Sequence, residues 1–220
     1  MNDEALLASW TEGDAKAGEE LYRRHFDALY RFFRTKAPDH CEDLIQTTML
    51  ECVRGREKFR GDSTFRAYLF GVARNCLLHH FRSRFRDRLD FDASRSSVAD
   101  LDPRFSSVLG RRVEQERLLA AMRSIPVDLQ VVIELHYWEE LSTRELATVL
   151  DVPQGTVKSR LRRAREALRQ ALGDSLAAGG SPRPKEDEQP DEQPDEQPDE
   201  QPDEQLTAQV RALRSELVWG

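Results

Sequence analysis

The stretch GTVKSRLRRAREALRQAL at 155–172 places Lys158, Arg160, Arg162, Arg163 and Arg165 within eight residues. Cations at that density neutralise phosphates, and an arginine or lysine can also bond the edge of a guanine in the major groove. A second group, ARNCLLHHFRSRFRDR at 73–88, sets Arg74, Arg82, Arg84, Arg86 and Arg88 among His79, His80, Phe81 and Phe85. Aromatic rings beside guanidinium groups stack on unpaired bases and follow a backbone, which suits single strands better than duplex. A plain core position for Phe81 is the competing reading. The histidines show no HExxH spacing, and the chain has no Gly-rich phosphate loop or nucleophile elbow. These residues therefore point to a nucleic-acid binder, not an enzyme, with no metal and no cofactor.

The whole-chain charge of −7 hides this chemistry. Residues 181–220 hold 12 acidic against 4 basic side chains, so residues 1–180 carry about +1. A partner must be judged from the charge of individual helices. Cys41, Cys52 and Cys76 form neither a CxxC pair nor an even set, and read as reduced, buried thiols. The start MNDEALLASW lacks the pattern of a signal peptide, and no window is apolar enough to span a membrane. A cytoplasmic protein with no membrane insertion is expected.

Helices must position the basic groups. Leu21, Phe26, Leu29, Tyr30 and Phe33 recur at helical spacing, as do Leu44, Ile45, Met49, Leu50 and Val53. RGDST at 60–64 reads as a loop, and a third helix follows from about Thr64 to Arg84 with Phe65, Leu69, Val72, Ala73 and Leu77 inside. The polar stretch 85–110 loses the period. Helix resumes over Arg112–Met122, breaks at SIPVD, and continues through Leu129–Trp138.

The sharpest local pattern is LSTRELATVLDVPQGTVKSRLRRAREALRQAL. Ser142 with Glu145 three residues later makes a capping box, DVPQG a tight turn, and Val157 and Leu161 the inner anchors of a second helix. Lys158, Ser159, Arg162 and Arg163 then lie on or near its outer face. Two short helices with the second basic and outward-facing fit a B-DNA major groove.

Three blocks, DLIQTTMLECV (43–53), KFRGDSTFRAYLFGVARNCLLHHFRSR (58–84) and the stretch 124–172, together resemble the extracytoplasmic-function (ECF) sigma factors of the sigma-70 family. The resemblance implies a first domain (region two) that binds the clamp helices of the polymerase β′ subunit and opens the −10 element. It implies a second (region four) that binds the β flap and reads the −35 element. Carried over by position, Asp43, Leu44 and Gln46 belong to the polymerase-binding surface. Phe59, Arg60, Gly61, Asp62, Ser63, Asn75 and Arg82 belong to the −10 site, where an unpaired base costs a few kcal/mol to hold out of the stack. Lys158, Ser159, Arg160, Arg162 and Arg163 belong to the −35 site. Core RNA polymerase and promoter DNA are the implied partners, with an anti-sigma factor as a further candidate. The resemblance also threads the linker into the polymerase, where Asp87, Asp90, Asp92, Asp100 and Asp102 would mimic nucleic-acid charge. Thr47 and Met49 depart from the Glu and Phe of many relatives, and Arg162 from a position often less charged.

The expected architecture is all-α: two small helical domains joined by a flexible linker, with a disordered acidic C-terminal tail. The divisions are 1–88 for region two, 89–111 for the linker, 112–173 for region four, 174–205 for a DEQP-repeat spacer and 206–220 for a short amphipathic helix. In the spacer a proline every fourth residue forbids helix and carboxylates repel one another. Leu206, Val210, Leu213 and Leu217 make a one-sided apolar stripe beyond it. Three roles are open to the tail: an electrostatic competitor of DNA, a helix that docks on this protein or a partner, or a solubility device. The alternative for the whole chain is a free-standing helix-turn-helix regulator, which would have no need of a strand-opening domain.

Overall fold

A computed structural model describes residues 1–55, 63–84, 91–101, 113–177 and 204–216, and the described elements are helical. The first domain holds α1 (Asp3–Thr11), α2 (Ala15–Arg34), a single 3-10 turn at Pro38–His40, α3 (Cys41–Arg54) and α4 (Phe65–Arg84). The sequence reading passed over α1, whose start is set by Asn2 accepting from the Ala5 amide at 3.0 Å. Leu6 and Leu7 of α1 are buried, and its Trp10 lies so close to Gly18 of α2 that a Cβ there would come within 2.4 Å of the indole. Any larger residue at 18 would have to push α1 away. Leu21, Leu29, Phe32, Phe33, Ile45, Phe65, Leu69, Phe70 and Leu77 fill the centre of this domain.

The stretch read as linker contains a docked segment. Asp92 accepts from the Ser94 amide and hydroxyl at 2.9 and 2.8 Å, and Ser97 and Asp100 cap one another at the start of α5 (Val98–Leu101). The amides of Val127 and Asp128 donate to the carbonyls of Ser96 and Ala93. Residues 91–101 are thus strapped to the start of the second domain. Asp87, Asp90 and Asp102 lie outside the described residues.

The second domain comprises α6 (Val113–Ser124), α7 (Val127–Tyr137), α8 (Thr143–Leu150) and α9 (Gln154–Ala177), with α10 (Glu204–Glu216) packed on α6 and α7. Helix α7 is buried on both sides. Val127, Val131, Val132 and Leu135 join the core of the first domain, whereas Leu129, Ile133 and Tyr137 join a second core with Met122, Trp138 and Leu168. Helix α8 lies against α4. The two domains therefore close on each other around a shared interior.

The seam between them is rich in charge. Lys36 and Glu134 form a fully buried ion pair, and Glu134 also accepts from Thr35 Oγ1 at 3.0 Å and Gln130 Nε2 at 2.8 Å. Glu139 receives Arg31 at 3.0 Å and is also paired with Arg66, while Arg74 reaches Asp128 at 2.8 Å. In each of these pairs the first domain supplies the base and the second the acid. Burial pushes the Lys36 ammonium below its usual range and the Glu134 carboxyl above its own, while each partner's charge pulls the other back. Buried charges are tolerated because each has a counter-charge and further hydrogen bonds.

Candidate nucleic-acid interface

The helix-turn-helix is built as its sequence predicts. Ser142 Oγ accepts from the Glu145 amide at 3.2 Å, and Glu145 Oε2 accepts from the Ser142 amide at 2.9 Å, closing the capping box. Burial would raise the Glu145 carboxyl, but hydrogen bonds from Ser142 and Thr64 outweigh it and hold the group below its usual range. Asp151 ends α8 in the left-handed region at φ 53°. Gln154 Nε2 donates to Thr143 Oγ1 at 2.7 Å, tying the start of α9 to the start of α8. Leu146, Val149, Val157 and Leu161 are buried between the two helices and the first domain.

That packing fixes which way the cations of α9 face. Lys158, Ser159, Arg162 and Arg163 are exposed. Arg160 is half-buried, with its guanidinium 3.8 Å from Asp128. An open groove of about 560 Å³ runs along α9, lined in part by Pro126, Leu129, Arg162, Arg163, Arg165 and Arg169. Backbone phosphates suit such a wall of guanidinium groups, and the exposed cations at 158, 162 and 163 can enter a groove edge-on.

In the first domain, Phe59, Arg60, Gly61 and Asp62 lie outside the described residues. Ser63 is partly exposed, and Asn75 and Arg82 are exposed on α4. Asn75, His79 and Arg82, spaced four and three apart, form one solvent-facing stripe. Phe81 is not on it. Its ring is buried against Phe91 at 5.5 Å, so the core reading of Phe81 holds and the stacking role expected of that ring does not apply. His80 turns toward His40 at 4.7 Å between ring centres, and burial first, then the charges of His40 and Arg84, push it down to about 4.

Asp43 and Gln46 are exposed on α3, whereas Leu44 is buried beneath them. The sequence reading missed their neighbours. Leu50 is exposed on the same face of α3, and on α2 the rings of Tyr22, Phe26 and Tyr30 form a ladder at 5.3 and 5.8 Å with Tyr22 exposed. Burial and the nearby Glu42 push the Tyr22 hydroxyl up. The spacing of four among 22, 26 and 30 is the available signal, but it also fits a core stripe, the reading given to Phe26 and Tyr30 above.

The thiols of Cys41, Cys52 and Cys76 are free, and burial raises all three, Cys41 to about 12. That is the environment of inert thiols. Among the described residues no His, Cys, Asp or Glu cluster could hold a metal ion, and no helix is long and apolar enough to cross a membrane.

The two domains match known families in the same order. Residues 21–87 match the model of sigma-70 region 2, and residues 115–168 match that of sigma-70, region 4. The RNA polymerase sigma factor HrpL of Pseudomonas syringae pv. syringae is 32% identical over 63% of this chain and 77% of its own length. The ECF RNA polymerase sigma-E factor of Haemophilus influenzae is 29% identical over 76% of this chain and 94% of its own. In fold, the chain resembles CnrH solved in complex with the cytosolic domain of CnrY, with a TM-score of 0.55, 24% identity, and coverage of 78% of this chain and 97% of that one. The fold, the paired domains and these relatives define a sigma-70-type protein. The chain belongs to the ECF sigma factors of that family.

Proposed function

We propose that this chain is the promoter-specificity subunit of a bacterial RNA polymerase. It binds the core enzyme, reads the −35 element as duplex through α9 and opens the −10 element through α4. One observation supports the reading: a single chain presents two separate polar surfaces of different chemistry, the exposed cations of α9 and an Asn75, His79, Arg82 stripe on α4. A free-standing helix-turn-helix regulator would need only the first. Catalysis stays with the polymerase, and the chain works in the cytoplasm.

In this reading Lys158, Ser159, Arg162 and Arg163 contact the −35 groove, and Arg160 joins them once it leaves Asp128. Asn75, Arg82, Ser63 and the loop residues 59–62 hold an unpaired −10 base, whose extraction costs a few kcal/mol and is offset by neighbouring contacts. Asp43 and Gln46, with Leu50 and Tyr22 alongside, face the polymerase clamp, while buried Leu44 supports that face from below. An anti-sigma factor is a natural regulator of such a chain.

The test is transcription in vitro from a genomic promoter library with bacterial core polymerase, with and without the protein. Initiation at a shared two-element motif that depends on the protein supports the reading. Duplex binding without initiation, when a control sigma factor works on the same core, overturns it. Arg162→Ala should lower initiation and flatten the salt dependence of promoter binding by about one unit of slope. Asn75→Ala should leave −35 binding intact while abolishing strand opening, read by permanganate reactivity.

A further inference from the structure

Helix α10 lies outside both family matches, beyond the end of the second. The region 4 match ends at residue 168, and the Haemophilus influenzae relative is matched over 94% of its length while taking up 76% of this chain. Yet α10 is not an idle tail. Leu206, Val210 and Leu213 are buried in an apolar groove whose walls include Leu118, Met122, Ile133, Tyr137, Trp138 and Leu168. The Trp138 indole donates to the main-chain carbonyl of Val210 at 2.6 Å. At the edges Arg211 lies over the Tyr137 ring at 5.8 Å, and Arg214 pairs with Glu140 at 3.1 Å.

Three features of this contact mark α10 as a removable occupant. The groove belongs to α6, α7 and α9, which fall largely within the family match, whereas α10 falls outside it, so the face is part of the family domain and its cover is not. Its polar anchor is an indole N–H aimed at a backbone carbonyl, a group that any helix can present; with an apolar floor, that is a helix-in-groove site. Finally, a helix of this length is marginal in water by itself and owes its order to docking. The 26 residues from 178 to 203 link it to the end of α9, and a tether of that length keeps a docked segment at an effective concentration around the millimolar range.

We propose that α10 is a built-in competitor: it occupies the helix-accepting groove of the second domain and must leave before core polymerase can engage that domain. This rests on the sigma-factor reading above. The polymerase then meets a chain whose competent form is a minor population, and its apparent affinity is reduced by that fraction. The tail's acidic repeat serves as the tether, and the electrostatic and solubility roles become secondary.

Amide hydrogen exchange of the full-length chain, free and with core polymerase, tests both levels at once. In the free chain α10 should be protected. With core, α3 should gain protection around Asp43 and Gln46 while α10 loses it. If α3 gains protection and α10 keeps its own, the competition is overturned although the sigma reading stands. If α3 is unchanged while a control sigma factor binds the same core, the sigma reading fails and takes the proposal with it. Val210→Asp, in the full chain, should release α10 and tighten core binding roughly tenfold. Leu206→Ala should do the same more weakly if the aspartate disturbs folding, and Gln209→Asp on the exposed face should change nothing. Weaker core binding by Leu206→Ala, with α10 released, would show that α10 is an integral support of the domain and overturn the proposal.

Discussion

Where α7 meets the first domain, Glu134, Glu139 and Asp128 are answered by Lys36, Arg31, Arg66 and Arg74; where the second domain meets α10, three aliphatic side chains lie on an apolar floor anchored by an indole hydrogen bond. The two contacts have different logics. A buried ion pair gains little net free energy over an apolar one but is costly to leave half-made, so the charged seam favours one register and punishes others. The apolar groove tolerates any helix of suitable stripe. The charged seam therefore specifies the closed chain, and the groove permits exchange.

The strongest way to break this comparison is Lys36→Met. It leaves Glu134 buried without a counter-charge and should cost about 3 to 5 kcal/mol of stability in urea denaturation. Adding Glu134→Gln, which keeps an acceptor for Thr35 and Gln130, should recover the chain to within about 1 to 2 kcal/mol of the parent. A double variant as unstable as the single would mean that the pair itself, not the orphaned charge, carries the seam.

Trp138→Phe probes the other contact and should be milder. Losing one indole hydrogen bond costs about 1 kcal/mol, enough to speed α10 amide exchange roughly fivefold while the exchange of α4 is unchanged. Raising salt should have little effect on α10 protection, since the ion pair at its edge, Arg214 with exposed Glu140, is a surface one.

A further contrast separates the regions by pH. His80 lies beside Lys36 and His40 on the first domain, and its imidazole is pushed from its ordinary 6.5 to about 4, chiefly by burial. The unfolded chain thus binds this proton more readily, so stability is full above about 6.5 and declines as pH falls toward 4. His80→Leu should flatten that slope in urea midpoints taken between pH 7 and 5, with α10 protection unaffected.

The helix-turn-helix was legible because its determinants are local: a capping box, a tight turn and two apolar anchors within twenty residues. The stripe of α10 was legible for the same reason, but its groove was not, because Met122, Trp138 and Leu168 come from α6, the C-terminal cap of α7 and α9, and carry no joint sequence pattern. The charged seam was the least legible. Lys36, Glu134 and Glu139 are residue types usually found in water, and only tertiary pairing buries them. Helix α1 was overlooked because its apolar signal is Leu6, Leu7 and Trp10 alone, too short a run to show a period.

Thr64, the residue just after the proposed base-holding loop, donates to Glu145 of α8 at 2.8 Å. On a duplex, elements centred about 25 base pairs apart are separated by roughly 85 Å at about 3.4 Å per step. With the residue after that loop hydrogen-bonded to α8, the two proposed surfaces of the closed chain cannot straddle that distance. On the proposed reading the free protein is a ruler folded shut: it has both marks but no length, and its domains must part before it can measure.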